Sequence, residues 1–365
     1  MKNTVLIVGE KFRYSDDFLS YLKRRIHEKL TKIDAFLFIK DNDPDILVEF
    51  ENYISKSSNI IIAASKNNFA LIGKMLSTHM SDTLVPRGNM LIPSKCKTYI
   101  DGSYTVTIGG KPINVIRIET DEDVPQILIE ECVKLKKAFI LGENEESVRV
   151  LLSPVAQASD IGISIFENSG GYTEIVSEEK KYGKLENFTG RISKLFGQKA
   201  IVADSLEEYI IDTLRENGEK IAVAESCSGG LLSYKFVHIP GASDVFIGSL
   251  TTYANEAKTS WLGVENSIIE EYGAVSEQTI AEMLDGVLKI SGADYAAAIS
   301  GVAGPGGGSD EKPIGCVYIG AKHRSGVQKI EKKNFKGDRS LIQSSAAAYS
   351  LKIICEILKD FSKMS

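Results

Sequence analysis

The sequence is poor in the residues that metal and thiol chemistry require. Its four histidines, His27, His79, His238 and His323, stand far apart, which argues against both a histidine metal site and a Ser-His-Asp triad. Its five cysteines, Cys96, Cys132, Cys227, Cys316 and Cys355, are scattered, with no CxxC pair. An odd, dispersed set argues against a disulfide framework or a zinc site and fits reduced thiols in the cytoplasm. No apolar run approaches the roughly 20 residues needed to cross a bilayer. The run Val5–Val8 is too short for a signal-peptide core and reads as a first buried strand. There is no excess of positive charge either. A net charge of −6 gives no electrostatic reason to expect nucleic acid or an anionic membrane as the main partner. Internal repeats and low-complexity tracts are absent. What is present is an ordinary globular composition over 365 residues, enough for two or three domains at roughly 100–200 residues each.

Three blocks follow from the patterning. Residues 1–135 alternate short apolar runs (3–9, 35–39, 59–64) with helical stretches (17–30, 44–54), the signature of an α/β layer with a parallel sheet. Extended pieces fill 91–118, with turns at Asp101-Gly102 and Gly109-Gly110. Residues 136–202 read as a small α+β module, with a hairpin about Ser169-Gly170-Gly171 and a helix on each side of it. Residues 203–365 open on an N-capped helix at Ser205 and alternate strands with helices, including a helix entered at Ser276, and end in a helix over 339–361.

Four segments of the last block could carry chemistry. Ala224-Glu225-Ser226-Cys227-Ser228-Gly229-Gly230 is a strand running into a glycine turn and a helix. A hydroxyl there sits beside helix N-terminal N–H groups that can hold an oxyanion; the plainer alternative is an N-cap with packing glycines. In Tyr253-Ala254-Asn255-Glu256-Ala257-Lys258, Lys258 and Asn255 share a helix face. A solvated lysine is the usual outcome, and a desolvated lysine acts as a base. Ser300-Gly301 opens a glycine-rich loop through Gly308 whose amides can approach an anion, or which binds nothing. It is not a P-loop, because no Gly-Lys-Ser/Thr follows. Finally, Asp338-Arg339 precedes the last helix, as a cap with a solvated arginine or as a bidentate contact to carboxylate or phosphate.

The stretches AVAESCSGGLL, TYANEAK, GAVSEQTIAEM, ISGVAGPGGGSDEKPIG and FKGDR, spread over Ala222–Arg339, together resemble the C-terminal domain of the competence/damage-inducible (CinA) family, shared with stand-alone nicotinamide-nucleotide amidases. The resemblance implies a multidomain α/β chain with a C-terminal amidase domain over 203–365. It implies Ser226 as nucleophile, Lys258 as base and Tyr253 as a further catalytic residue, with Ser228, Gly229, Gly230, Asn255, Ser300, Gly301 and Arg339 around the substrate. Ser228 and Ser300 stand where the family often has threonine. The substrate implied is nicotinamide mononucleotide, hydrolysed to the nicotinate nucleotide and ammonia without metal or cofactor, in a cytoplasmic homodimer or larger homo-oligomer.

The resemblance is weaker upstream. Residues 1–135 look like the family's molybdopterin-binding-like domain and 136–202 like its KH-type connecting module. The first departs strongly. The family's Gly-Gly-x-Gly-Pro-Thr segment reads Ala63-Ala64-Ser65-Lys66-Asn67-Asn68-Phe69 here, and its Pro-Gly-x-Pro segment reads Glu119-Thr120-Asp121-Glu122-Asp123. The metal-dependent ADP-ribose pyrophosphatase activity described for that domain is therefore expected to be silent. In the middle module, Ser169-Gly170-Gly171-Tyr172 is not the GxxG clamp of an RNA-binding KH domain, so no nucleic acid is expected. The alternatives are a non-catalytic nucleotide-binding or regulatory protein, or a pyrophosphatase that does keep its divalent metal.

Overall fold

The computed structural model describes residues 3–41, 46–131 and 133–361, with backbone only for 46–49. The chain divides into two compact units, Met1–Val133 and Lys134–Ser365.

The first unit holds strands β1 (Asn3–Val8), β2 (Ala35–Ile39), β3 (Asn59–Ser65), β4 (Leu84–Arg87), β5 (Met90–Pro93), β6 (Thr98–Ile100), β7 (Ser103–Ile108) and β8 (Lys111–Ile118). Its helices are α1 (Asp16–His27), α2 (Ile46–Lys56) and α3 (Lys66–His79). Six strands form one sheet in the order β2-β1-β3-β8-β7-β6, parallel as far as β8 and antiparallel beyond it. Alternate residues of β1 explain the two layers. Leu6 and Val8 pack with Phe50, Ile72 and Leu76 on one face, while Val5 and Ile7 meet Phe18, Leu22 and Ile26 on the other. Strands covered on both faces read as unbroken apolar runs, as these do. Of the helix expected over 44–54, residues 44 and 45 lie outside the described residues. Helix α3 has no counterpart in the sequence reading, because the polar start Lys66-Asn67-Asn68 hides its apolar face.

The second unit begins with β9 (Leu135–Leu141), α4 (Glu145–Ala158), β10 (Ile161–Asn168), β11 (Tyr172–Glu179), α5 (Leu185–Phe196) and β12 (Ala200–Val202). The four strands form an antiparallel sheet in the order β10-β11-β9-β12. Ala138 and Ile140 point to α4 and α5. Phe139, Leu141 and Tyr172 point the other way, into a core shared with the rest of the unit.

That remainder comprises α6 (Leu206–Asn217), β13 (Ile221–Glu225), α7 (Leu231–Val237), β14 (Phe246–Thr251), α8 (Asn255–Leu262), α9 (Asn266–Tyr272), α10 (Glu277–Ser291), β15 (Tyr295–Gly301), β16 (Cys316–His323), β17 (Gln328–Asn334) and α11 (Arg339–Phe361). Ser205 and Ser276 cap α6 and α10 through their hydroxyls, as expected. The sheet order is β14-β13-β15-β16-β17, with the first three strands parallel and the last two antiparallel. Ala222, Ala224, Ala296 and Ala298 give α10 a flat bed on one face. Val223, Ala297 and Ile299 meet the apolar side of α11 on the other. Helix α11 is long and apolar enough to span a membrane, yet 78% of its most apolar window is buried against this core.

The register positions the site. Glu225 pairs with Thr251 on one side and Ile299 on the other. The next residues, Ser226, Thr252 and Ser300, therefore leave the carboxyl ends of three parallel strands at one level, where open α/β sheets bind ligands.

Two helical glycines make opposite predictions. A Cβ at Gly286 in α10 would lie 2.1 Å from the Leu262 carbonyl oxygen at the end of α8. Gly286→Ala should lower stability by about 1–3 kcal/mol, because that clash outweighs the roughly 1 kcal/mol gain in helix propensity. Gly190 in α5 has open space around its missing Cβ, so Gly190→Ala should raise stability by about 0.5–1 kcal/mol. Urea unfolding of the two variants tests both signs.

Candidate active site

Ser226 follows β13 in a tight turn that ends at α7. Gly229 and Gly230 in that turn have φ values of 63° and 100°, a region that side chains resist. Its backbone N–H donates to the Ile299 carbonyl at 2.9 Å, which ties the turn to the neighbouring strand.

Lys258 reaches Ser226 from one turn inside α8. Its Nζ lies 3.1 Å from Ser226 Oγ, 2.8 Å from the Thr252 carbonyl oxygen and 3.4 Å from that of Tyr253. The side chain is 1% exposed. Burial, with no carboxylate partner among the described residues, disfavours the ammonium, so the pKa falls below the ordinary lysine value. A neutral amine has two N–H groups and one lone pair. The two carbonyls take the first, and the serine hydroxyl can donate to the second.

Ser226, Tyr253 and Lys258 line a cavity of ≈ 290 Å³ with Asn255, Ser300, Gly301 and Arg339. Ser300 donates its hydroxyl to the Ala274 carbonyl at 2.7 Å, so it braces the wall. Arg339 donates to the Gly304 carbonyl at 2.6 Å and to the Tyr253 hydroxyl at 2.9 Å. It thus ties the glycine-rich loop to the segment before α8. Asp338 caps α11 through the Leu341 N–H at 2.8 Å, as the capping reading expects, while Arg339 binds a carbonyl and a hydroxyl rather than a carboxylate.

The expected oxyanion donors need correcting. Ser228, Gly229 and Gly230 are not among the lining residues of the cavity. The carboxylate of Glu225 occupies the start of α7. It accepts from the Ser228 hydroxyl at 2.7 Å, from the N–H groups of Gly230, Leu232 and Ser233 at 3.0, 3.1 and 2.8 Å, and from the Ser233 hydroxyl at 2.8 Å. Gly229 N–H is bound to the Ser226 carbonyl. A fixed carboxylate at the end of the preceding strand outcompetes a transient ligand for those donors. The N–H groups of Cys227 and Ser228, directly after Ser226, donate to no acceptor among the described residues.

Other residues of the site escaped the sequence reading. The Thr252 carbonyl is one, since backbone acceptors leave no mark in a sequence. Gln343 is another; its amide donates to the Cys227 carbonyl at 2.6 Å from a helix 116 residues away. Cys227 itself lines the cavity, but burial pushes its thiol up to about 12. It stays protonated and does not compete with Ser226.

In the first unit, the corresponding strand ends are occupied by the chain's own carboxylates. Glu119 accepts the Lys66 N–H at the start of α3 at 2.8 Å and pairs with Lys11. Asp41 accepts from the Asn68 amide at 2.6 Å. Among the described residues, no three His, Cys, Asp or Glu side chains converge to hold a metal ion.

Comparison with known proteins agrees with the motif reading. The family profile of the CinA C-terminal domain matches residues 203–358. A "CinA-like protein" of Pseudothermotoga lettingae is 39% identical over 193 residues, which are 52% of this chain and 47% of that protein. A "putative competence-damage inducible protein" of Caldanaerobacter subterraneus subsp. tengcongensis is 30% identical over 308 residues, 80% of this chain and 74% of that protein. The crystal structure of the competence/damage inducible protein CihA of Agrobacterium tumefaciens is 36% identical, covering 42% of this chain and 93% of that one with a TM-score of 0.41. Motifs in order, a profile over the domain that carries them and a relative aligned along most of the chain lead to one assignment: this protein belongs to the CinA family.

Proposed function

We propose that the C-terminal region is a serine–lysine amidase that hydrolyses the carboxamide of nicotinamide mononucleotide. The observation that carries this reading is the Lys258–Ser226 contact at 3.1 Å in a position 1% exposed, with two carbonyls taking the other amine protons. A pure binding site has no need of a desolvated amine aimed at a hydroxyl.

Lys258 takes the Ser226 proton as Oγ attacks the carboxamide carbon. The ammonium that forms is held by the Thr252 and Tyr253 carbonyls. Amides are poor electrophiles, but the pyridinium ring withdraws electrons from this one. The N–H group of Cys227, which lines the cavity, receives the tetrahedral oxyanion; one such donor is typically worth roughly 3–4 kcal/mol. Lys258 then returns the proton to departing ammonia, and water cleaves the acyl-enzyme. Arg339 holds the Tyr253 hydroxyl and the loop at Gly304 against the cavity.

The first unit has no catalytic part in this reading. Glu119 and Asp41 fill the strand ends where an anionic ligand would place its oxygens. We expect no release of AMP from ADP-ribose with magnesium or manganese; metal-dependent AMP formation by the purified protein would reverse that assignment.

Ammonia release from nicotinamide mononucleotide should be measurable with the full-length protein. Ser226→Ala should lower it by about 10³-fold or more, and wild-type turnover in that variant would remove Ser226 as nucleophile. Lys258→Met should lower it by about 10²–10⁴-fold. The base must be neutral, so kcat/KM should rise with pH through a midpoint below the ordinary lysine value of 10.5. The sign for stability is the same. The unfolded chain binds this proton more tightly, so stability should rise with pH between the lowered folded value and 10.5. Lys258→Met should lose that dependence in pH-resolved unfolding curves.

A further inference from the structure

We propose that Glu225 is a positioning residue for both members of the dyad, setting the reactivity of Ser226 rather than only closing a helix. The proposal rests on the reading of Ser226 as nucleophile.

Ordinary capping does not explain the arrangement. A capped helix start needs one short side chain at the N-cap. Here the N-cap is Gly230, with φ 100° and no side chain. The acceptor comes instead from the last residue of β13 and is 0% exposed. Burying a carboxylate costs several kcal/mol unless its oxygens are satisfied, and both are. Oε2 gathers Ser228 Oγ, Gly230 N and Leu232 N. Oε1 gathers Ser233 N, Ser233 Oγ and, at 3.4 Å, Ser249 Oγ. The carboxylate therefore ties the end of β13 across the Ser226–Gly229 turn to the start of α7, and to Ser249 of β14.

The backbone of the same residue acts on the other partner. The Glu225 carbonyl accepts the Thr252 N–H at 2.7 Å, and the Thr252 carbonyl accepts from Lys258 Nζ at 2.8 Å. One residue thus fixes the turn that carries the nucleophile and the acceptor that aims the base. It also keeps the α7 amides occupied, so that the free donors are those of Cys227 and Ser228.

The test separates positioning from folding. Glu225→Gln keeps the shape but turns one oxygen into a donor facing donors. The full-length wild type and this variant are treated with a fluorophosphonate, which phosphonylates an activated serine with loss of fluoride and without any amide substrate. Endpoint stoichiometry counts competent molecules, and the rate constant reports the reactivity of each. The expected result is full stoichiometry at Ser226 with a rate constant lower by about tenfold or more. Ammonia release from nicotinamide mononucleotide should then show a comparable fall in kcat with KM within about twofold. A rate within about threefold of wild type, or a fall only in stoichiometry, overturns the proposal. If Glu225→Gln does not fold, Ser233→Ala decides, because it removes one hydroxyl from the clamp. A loss of about threefold at full stoichiometry supports the proposal and an unchanged rate overturns it. A wild type that labels at Ser226 yet releases no ammonia refutes the substrate reading, while the labelling arm still decides the role of Glu225. A wild type that does not label at Ser226 overturns the positioning role together with the nucleophile.

Discussion

A buried lysine amine without a carboxylate partner is the constraint around which the C-terminal sheet is arranged. Lys258 is 1% exposed and its nearest polar neighbours are a hydroxyl and two carbonyls. Such a site penalises the charged form. It persists because α8 is held from several sides. Leu262 and Val264 bury their side chains against α10, and the missing Cβ of Gly286 lets that helix close to contact. Stability is given up at one point, and the neutral amine is favoured below the ordinary lysine value.

The parts of the candidate site come from widely separated segments because the sheet crosses over between them. Strands β14, β13 and β15 lie side by side and end at one level. Loops leaving those ends bring together a serine, two backbone acceptors and a glycine-rich wall. Helix α11 closes the arrangement from the far end of the chain, through Arg339 on Gly304 and Tyr253 and Gln343 on the Cys227 carbonyl. The small antiparallel sheet β9–β12 has no part in the cavity, but it shares its core through Phe139, Leu141 and Tyr172.

Much of the architecture was legible because its causes are local. Apolar runs such as Asn59–Ala64 announce strands buried on both faces. Ser205 and Ser276 cap their helices through their own hydroxyls. The motif residues Ser226, Tyr253, Asn255, Lys258, Ser300, Gly301 and Arg339 do surround one cavity. Helix α3 was missed because its polar first turn masks the period, and α9 because seven residues are too few to show one.

The sequence by itself determined the strand–helix alternation, the turns at Ser226–Gly230 and Ser300–Gly308 and the family. Those depend on neighbours in the chain and on residues whose order survives without coordinates. Only the tertiary structure decided what each polar group faces. Lysine pKa depends on burial, and burial of Lys258 follows from how α8 packs on α10. The choice of amides left free for a ligand depends on where Glu225 points, and nothing in ESCSGG says that its carboxylate turns back onto the helix it precedes. Hydrogen-bond competition is settled in space, so Ser226, Tyr253, Asn255, Lys258, Ser300, Gly301 and Arg339 line one cavity while Ser228, Gly229 and Gly230 do not.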